Sequence, residues 1–427
     1  MAVALLQRLA AGRPAPVFLA VGIGGAWVRE ALSPDPRIEL VDSPRHASVL
    51  LVAGSVPTDR QDALRRLHDQ LPRPAASLWF RSDPLTELGH ARRIDRLDDL
   101  ASQAIRLHRT LIDGSTPGDP ELLPDQPPHP WQGKGMYGQG GEGMMGGVPY
   151  GRPMAMAMMQ DLRDGLQLDS LSFTLGPFYP ALPPGLQLKL TLQGDLLQKA
   201  MIESSAYPVQ VSPLFFEALQ RPVPVAALEI ERARHHLHRL AQLMRLAGLG
   251  SLARRTCSDA ARLRPGSRLP ELHRRVTRSG LLHSFNPGLG QLEVQQARML
   301  GGVAWRAAGM PNDARSEDQA YARIGFAPLT HPGSDARARL LQLLAETSQA
   351  LDLAAAADQV QLQTGPVECI ETPRGALSAA QRPADASHLL MDLLPGLEWS
   401  QALGLVASLD LAALSPWPMA QQEAASC

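Results

Sequence analysis

The sequence predicts two unlike domains, an α/β domain on a parallel sheet followed by an α+β, mainly helical domain. Three observations carry this expectation. Short apolar runs at residues 17–21, Ile38–Val41 and Val49–Ala53 alternate with helical patterns over the first 112 residues, and strands separated by helices imply a parallel sheet. A stretch rich in Pro, Gly and Met then interrupts all periodicity from 113 to 165. Beyond it, one period-two pattern is followed by long apolar stripes at helical spacing. The expected bounds are therefore 1–112, 113–165 and 166–427.

Each element has its own signal. In the first domain, helices are expected over 59–70 and 94–112, the second carrying Leu97, Leu100, Ile105, Leu107 and Leu111 on one side. The middle stretch has linker composition, extended at its prolines and flexible at its glycines. Seven of the fourteen methionines fall between Met136 and Met159. They read as an adaptable apolar strip; a Cu(I) site on thioethers is the competing reading. Leu186, Leu188, Leu190 and Leu192 alternate before Gly194-Asp195, which predicts an antiparallel hairpin. Helices are expected over 224–249, 269–278, 289–297 and 334–353. A strand and turn follow at VECIETPRGALSAA, and a last helix ends near Asp410.

Composition bounds the function. A length of 427 residues with 44% hydrophobic residues leaves ample room for a core. The net charge of −1 gives no global pull toward nucleic acid. Charge is uneven, however: residues 221–280 hold thirteen arginines against Glu229, Glu231, Asp259 and Glu271. That region reads either as a face for an acidic partner or anionic lipid, or as a solvated helical surface. Cys257, Cys369 and Cys427 are isolated, so no CxxC site is available. They predict a reduced, cytosolic chain. The opening segment MAVALLQRLAAG reads as a short amphipathic helix, not a signal peptide, and no apolar run reaches the roughly 20 residues of a membrane span.

The turn at Gly22-Ile23-Gly24-Gly25 stands where an α/β domain presents its chemistry, yet it carries no cysteine, histidine or carboxylate before Glu30. It is not G-x-G-x-x-G, and only Asp42 stands near the end of the next strand, so a dinucleotide loop is disfavoured. His235 and His238 share a helical face, but no third ligand is evident, and a structural or interface role is expected for them. Asp313, Glu317 and Asp318 are expected to form a solvent-facing acidic turn.

The segment SPRHASVLLVAGSV, with Arg45 and His46, resembles the small subunit of membrane-bound nickel–iron hydrogenases and the cluster-bearing subunit of respiratory complex I. The second half resembles their partner subunit, which carries the nickel or quinone site. LGPFYPALPPGLQLKLTLQGD resembles its N-terminal hairpin. EIERARHHLHRLAQL resembles its helix signature, roughly Glu-Arg-x-x-Asn-His-Leu, with Glu231, Arg232, His236 and Leu237 in place and His235 at the Asn position. MLGGVAWRAAGMPNDARSEDQAYARIGF and ETPRGAL, with Glu371, Pro373, Arg374 and Gly375, follow in the family order. The resemblance covers most of the chain outside the linker and implies a natural fusion of the two subunits.

The departures matter more. In the family the glycine turn carries cysteines for a 4Fe–4S cluster; here Gly22, Gly24 and Gly25 form a degenerate turn, and no cysteine stands near 77–83. Cluster iron needs thiolates. Both CxxC motifs of the nickel site are missing too, although Asp410 is kept. The resemblance therefore implies neither nickel nor a 4Fe–4S cluster. Complex I relatives use the emptied cavity for quinone, with a histidine in the hairpin loop where this chain has Tyr179. Tyr179 and His236 are the candidate remnants of such a cavity, with quinone or lipid as ligand. The expectation is a redox-silent peripheral-arm subunit in a hetero-oligomer. It would dock at the cytoplasmic side of the inner membrane on complex I-like or antiporter-like membrane subunits, without nucleic acid. The alternative is a quinone-reactive oxidoreductase subunit fed by a cluster on another chain.

Overall fold

The structure, a computed structural model, describes residues 11–89, 91–124 and 170–416, together with 159–160, 162–163, 165 and 167–168. Most of the opening helix, the methionines at 136–158 and Cys427 lie outside the described residues.

The first domain is a five-stranded parallel sheet: β1 (Ala15–Val21), β2 (Ile38–Val41), β3 (Val49–Ala53), β4 (Ala76–Phe80) and β5 (Arg92–Ile94), in the order β2-β1-β3-β4-β5. The central strand VLLVA is buried throughout, as a parallel strand covered on both faces must be. Side-chain alternation sends Val17, Leu19 and Leu51 toward α1 (Val28–Leu32) and α3 (Leu97–Ile112). Phe18, Leu50 and Val52 face the side of α2 (Gln61–His68), where Leu64 and Trp79 are buried. Each such side chain contributes about 2 kcal/mol of transfer free energy.

The expected linker begins ordered. Asp119 accepts hydrogen bonds from Ser77 N at 2.8 Å and Ser77 Oγ at 2.7 Å, and Asp69 accepts from Leu122 N and Leu123 N. The segment 113–124 thus returns across the first domain.

The second domain opens with β6 (Ser170–Leu175), β7 (Gln187–Gln193) and β8 (Leu196–Ser204), an antiparallel sheet in the order β8-β7-β6. Gly194-Asp195 makes the two-residue turn, with Gly194 at φ +60°. Two long helices, α4 (Val225–Leu246) and α6 (Ala336–Gln359), then form the core with α5 (Gly250–Ala261) and α7 (Trp399–Ser408). Leu237, Leu240, Met244, Leu340 and Leu344 are almost wholly buried there. Cys257 of α5 is buried in the same core, and Cys369 is exposed. Among the described residues, no helix is long and apolar enough to cross a membrane.

Two expectations are corrected, and one helix was not anticipated. The helix expected over 289–297 starts only at Val294, capped by reciprocal hydrogen bonds of Glu293 and Gln296. The helix α5 has no counterpart among the sequence expectations; its polar surface at Arg254, Arg255 and Ser258 obscures a narrow apolar stripe. Asp313 does not face solvent: it is 7% exposed and held by Arg315 at 2.8 Å and Arg306 at 3.1 Å.

Candidate functional site

Open parallel sheets bind ligands outside the carboxyl ends of their strands, where the strand order reverses. Here that point lies between β1 and β3, at the turn 22–25 and the facing residues Gly54-Ser55. The two loops close on each other. Gly22 N donates to Ala53 O at 2.7 Å, Ile23 N to Ser55 O at 2.8 Å, and Ser55 N to Ile23 O at 3.0 Å.

This closure decides which side chains the turn accepts. A Cβ on Gly25 would lie 1.9 Å from Ala53 O, and one on Gly22 would lie 2.5 Å from Ser55 O. Gly24 faces open space, but its φ of +79° strains any L side chain. A cluster needs several thiolates converging on this turn, and the backbone leaves no room for two of them.

Beside the turn, the two domains enclose a cavity of about 240 Å³. The first domain contributes Val21, Trp27, Arg29 and Glu30. The hairpin loop between β6 and β7 contributes Phe178, Tyr179 and Leu182. From α4 come His235, His238, Arg239, Gln242 and Arg245, and the C-terminal part adds Arg374, Val406 and Asp410. The α4 residues recur at spacings of three and four, which places them on one stripe of the helix.

The polar end is organised around Asp410. Its carboxylate lies 3.3 Å from Arg239 Nε and 3.7 Å from His235 Nε2. Burial works to raise the Asp410 carboxyl, but Arg239 and Arg374 outweigh it and hold it well below the usual range. Burial pushes the His238 imidazole down to about 4, so it is neutral near pH 7. Burial also lowers Arg29, with Arg245 acting in the same direction. The Tyr179 hydroxyl is raised by burial and by Asp42.

Behind α4 lies a second, drier set of charges. Arg306, Arg315 and Arg232 meet Glu229, Glu346, Asp313 and Glu371, with Tyr321 donating to Glu229 at 2.6 Å. His236 belongs here, 3.2 Å from Glu346 and fully buried. Burial pushes it down to about 4 against the pull of Glu346.

The structure separates the two residues that the sequence grouped as a quinone cavity. Tyr179 lines the cavity; His236 points away from it, into the Glu346 network, and its neighbours His235 and His238 take the cavity wall. Arg232 is buried with Glu229 and donates to Glu371 O at 2.6 Å, whereas Arg374 reaches the cavity. Glu231 pairs with Arg234 on a half-buried face. Arg45 and His46 are exposed in the turn before β3, at the end of the sheet opposite the glycine turn. Arg29, Arg239 and Arg245 were absent from the sequence-level candidates. The stripe His235, His238, Arg239, Gln242 and Arg245 was the signal for the latter two. Among the described residues no cluster of three or more His, Cys, Asp or Glu suits a metal ion.

The fold and site define a chain with an N-terminal parallel five-stranded sheet, a mainly helical C-terminal region, and a cavity between them that several charged side chains line. No protein-family model matches the chain, and no curated protein matches it. Among solved structures, it is similar to a chain of the membrane-bound sulfane sulfur reductase, an archaeal respiratory membrane complex. Identity is 15% and the TM-score 0.38, over 57% of this chain and 96% of that one. Likeness of that degree does not transfer an activity.

Proposed function

We propose that this chain is a redox-silent peripheral subunit of a membrane assembly of the complex I and group 4 hydrogenase type, serving as a structural adaptor for its ion-translocating subunits. The observation that carries this reading is the turn at Gly22–Gly25. It occupies the ligand-binding point of the sheet, and the backbone of Ala53 and Ser55 fills the space that metal-holding side chains would need. The ordered run of family-like motifs on both sides of the linker supplies the kind of assembly. Exposed arginines at 254, 255, 262, 264, 268 and 278 supply positive surface charge for docking on an acidic partner.

The test is purification of the native complex with iron and nickel analysis and visible absorption. The adaptor reading expects co-purification with antiporter-like membrane proteins and no iron assigned to this chain. Stoichiometric iron or nickel on this chain overturns it.

A second reading has one observation of its own. Tyr179 lines the cavity, and a tyrosine hydroxyl there can donate a hydrogen bond to a quinone carbonyl. In that reading the electrons come from a cluster on another chain. Quinone reduction by the intact complex that falls with Tyr179→Phe would favour it over the adaptor.

A further inference from the structure

Four guanidinium groups line the interdomain cavity, those of Arg29, Arg239, Arg245 and Arg374, against two carboxylates, Glu30 and Asp410. The compensation is incomplete. Asp410 serves both Arg239 and His235. The partner of Arg29 is Asp42 at 3.7 Å, whose side chain is 70% exposed. Arg374 is 3% exposed and makes no ion pair among the described residues. Its Nη2 donates to the backbone carbonyls of Asp410 and Ala412, and its Nε has no partner.

The Asp410 charge favours the charged form of Arg374, but its Nε–H is left without an acceptor, which is costly at this depth, and the planar fork of a guanidinium matches the oxygens of carboxylate and phosphate. The lining also includes the apolar side chains of Trp27, Phe178, Leu182 and Val406. We propose that this cavity binds an oxyanion, the phosphate or carboxylate group of a ligand whose remaining part packs on these apolar side chains. The anion sits at Arg374, Arg239 and Arg245, and Arg29 closes the site from the first domain. The same ligand therefore bridges the two domains. This inference goes beyond the adaptor reading and stands without it.

The test is calorimetric titration of the purified full chain in chloride buffer at fixed ionic strength. The probes are sodium phosphate, sodium succinate and phosphatidylglycerol vesicles, with phosphatidylcholine vesicles as the neutral control. Saturable binding of at least one anionic probe is expected. Arg245→Gln and Arg239→Gln should each weaken it tenfold or more, and Arg66→Gln, exposed on α2 and away from both the cavity and the basic segment, should leave it unchanged. Binding of phosphate or succinate identifies a free anion; binding of the anionic vesicles alone identifies a lipid headgroup. Absence of saturable binding for all three probes overturns the proposal. So does binding that survives both cavity variants, or vesicle binding that falls with Arg278→Gln alone.

Discussion

Arg306 grips Glu346 through two parallel hydrogen bonds, Nε to Oε1 at 2.7 Å and Nη2 to Oε2 at 2.9 Å, and both side chains are 1% exposed. Its Nη1 reaches Glu371 at 2.7 Å and Asp313 at 3.1 Å, so one guanidinium faces three buried carboxylates. Burial lowers the guanidinium, but these carboxylates outweigh it and raise its pKa well above the ordinary value. Glu371 is held above the ordinary carboxyl value, first by burial, with the Asp313 charge adding to it.

Removal of this arginine should therefore be severe. Arg306→Met leaves uncompensated buried carboxylates and is expected to cost about 3–5 kcal/mol in urea unfolding. Replacing Arg306 and Glu346 together by Met and Leu should cost less than Arg306→Met alone, because the pair's desolvation penalty disappears with its attraction. A double variant less stable than the single one would contradict this account.

Acid should destabilise the protein well above the range where carboxylates titrate. His236 and His238 are held neutral to about pH 4, whereas an unfolded histidine takes up its proton near pH 6.5. The unfolded state therefore binds more protons between those values. Stability is full above about pH 6.5 and falls as pH drops toward 4, by up to about 1.4 kcal/mol per pH unit for each histidine. For His238, Glu30 favours the proton while His235, Arg234 and Arg245 oppose it. The depressed carboxyls of Glu346 and Asp410 act in the same direction only at lower pH, below their unfolded values. Urea midpoints at pH 7, 6 and 5 should decline, and His238→Gln should flatten that slope. Equal midpoints at the three values would refute the assignment.

Much of this molecule was legible because its periodicities are local. The strands at β1, β2 and β3, the hairpin turn at Gly194-Asp195 and the long helices α4 and α6 follow from alternation or 3.6-residue spacing. The cavity was harder to read. Arg29 and Arg374 are 345 residues apart, and only the packing of one region on the other brings them to one cavity. Asp313 was misjudged for a related reason: its partners Arg306 and Arg315 look like ordinary surface arginines until folding closes the network around them. His235 and His236 are adjacent in sequence, yet helical geometry sends one to the cavity and the other to Glu346.

The glycine turn yields a contrast between two substitutions of the same kind. Gly25→Ala forces a Cβ to within 1.9 Å of Ala53 O, whereas Gly89→Ala meets nothing within 4 Å. Gly25→Ala should cost about 2 kcal/mol or more, and Gly89→Ala should stay within about 0.5 kcal/mol of wild type. Gly25→Cys should behave like Gly25→Ala, so restoring a thiol here should not restore a cluster site. Thermal midpoints of the three variants decide the matter; equal midpoints for Gly25→Ala and Gly89→Ala would remove the steric argument.

The junction itself rests on Phe178. This side chain belongs to the hairpin loop of the second domain, but it is 8% exposed and joins the apolar cluster of the first domain that contains Phe18 and Trp79. Burial of a phenylalanine at such a place couples two cores that would otherwise unfold separately. Phe178→Ala should cost about 3–5 kcal/mol, and the loss should fall on the coupling, since each domain keeps its own core. Calorimetry should then show two transitions where the wild type shows one. Leu190→Ala, in the apolar cluster between the sheet and the helices of the second domain, should lower that domain's stability without splitting the profile. A single, merely shifted transition in Phe178→Ala would mean that the two regions are held together by other contacts.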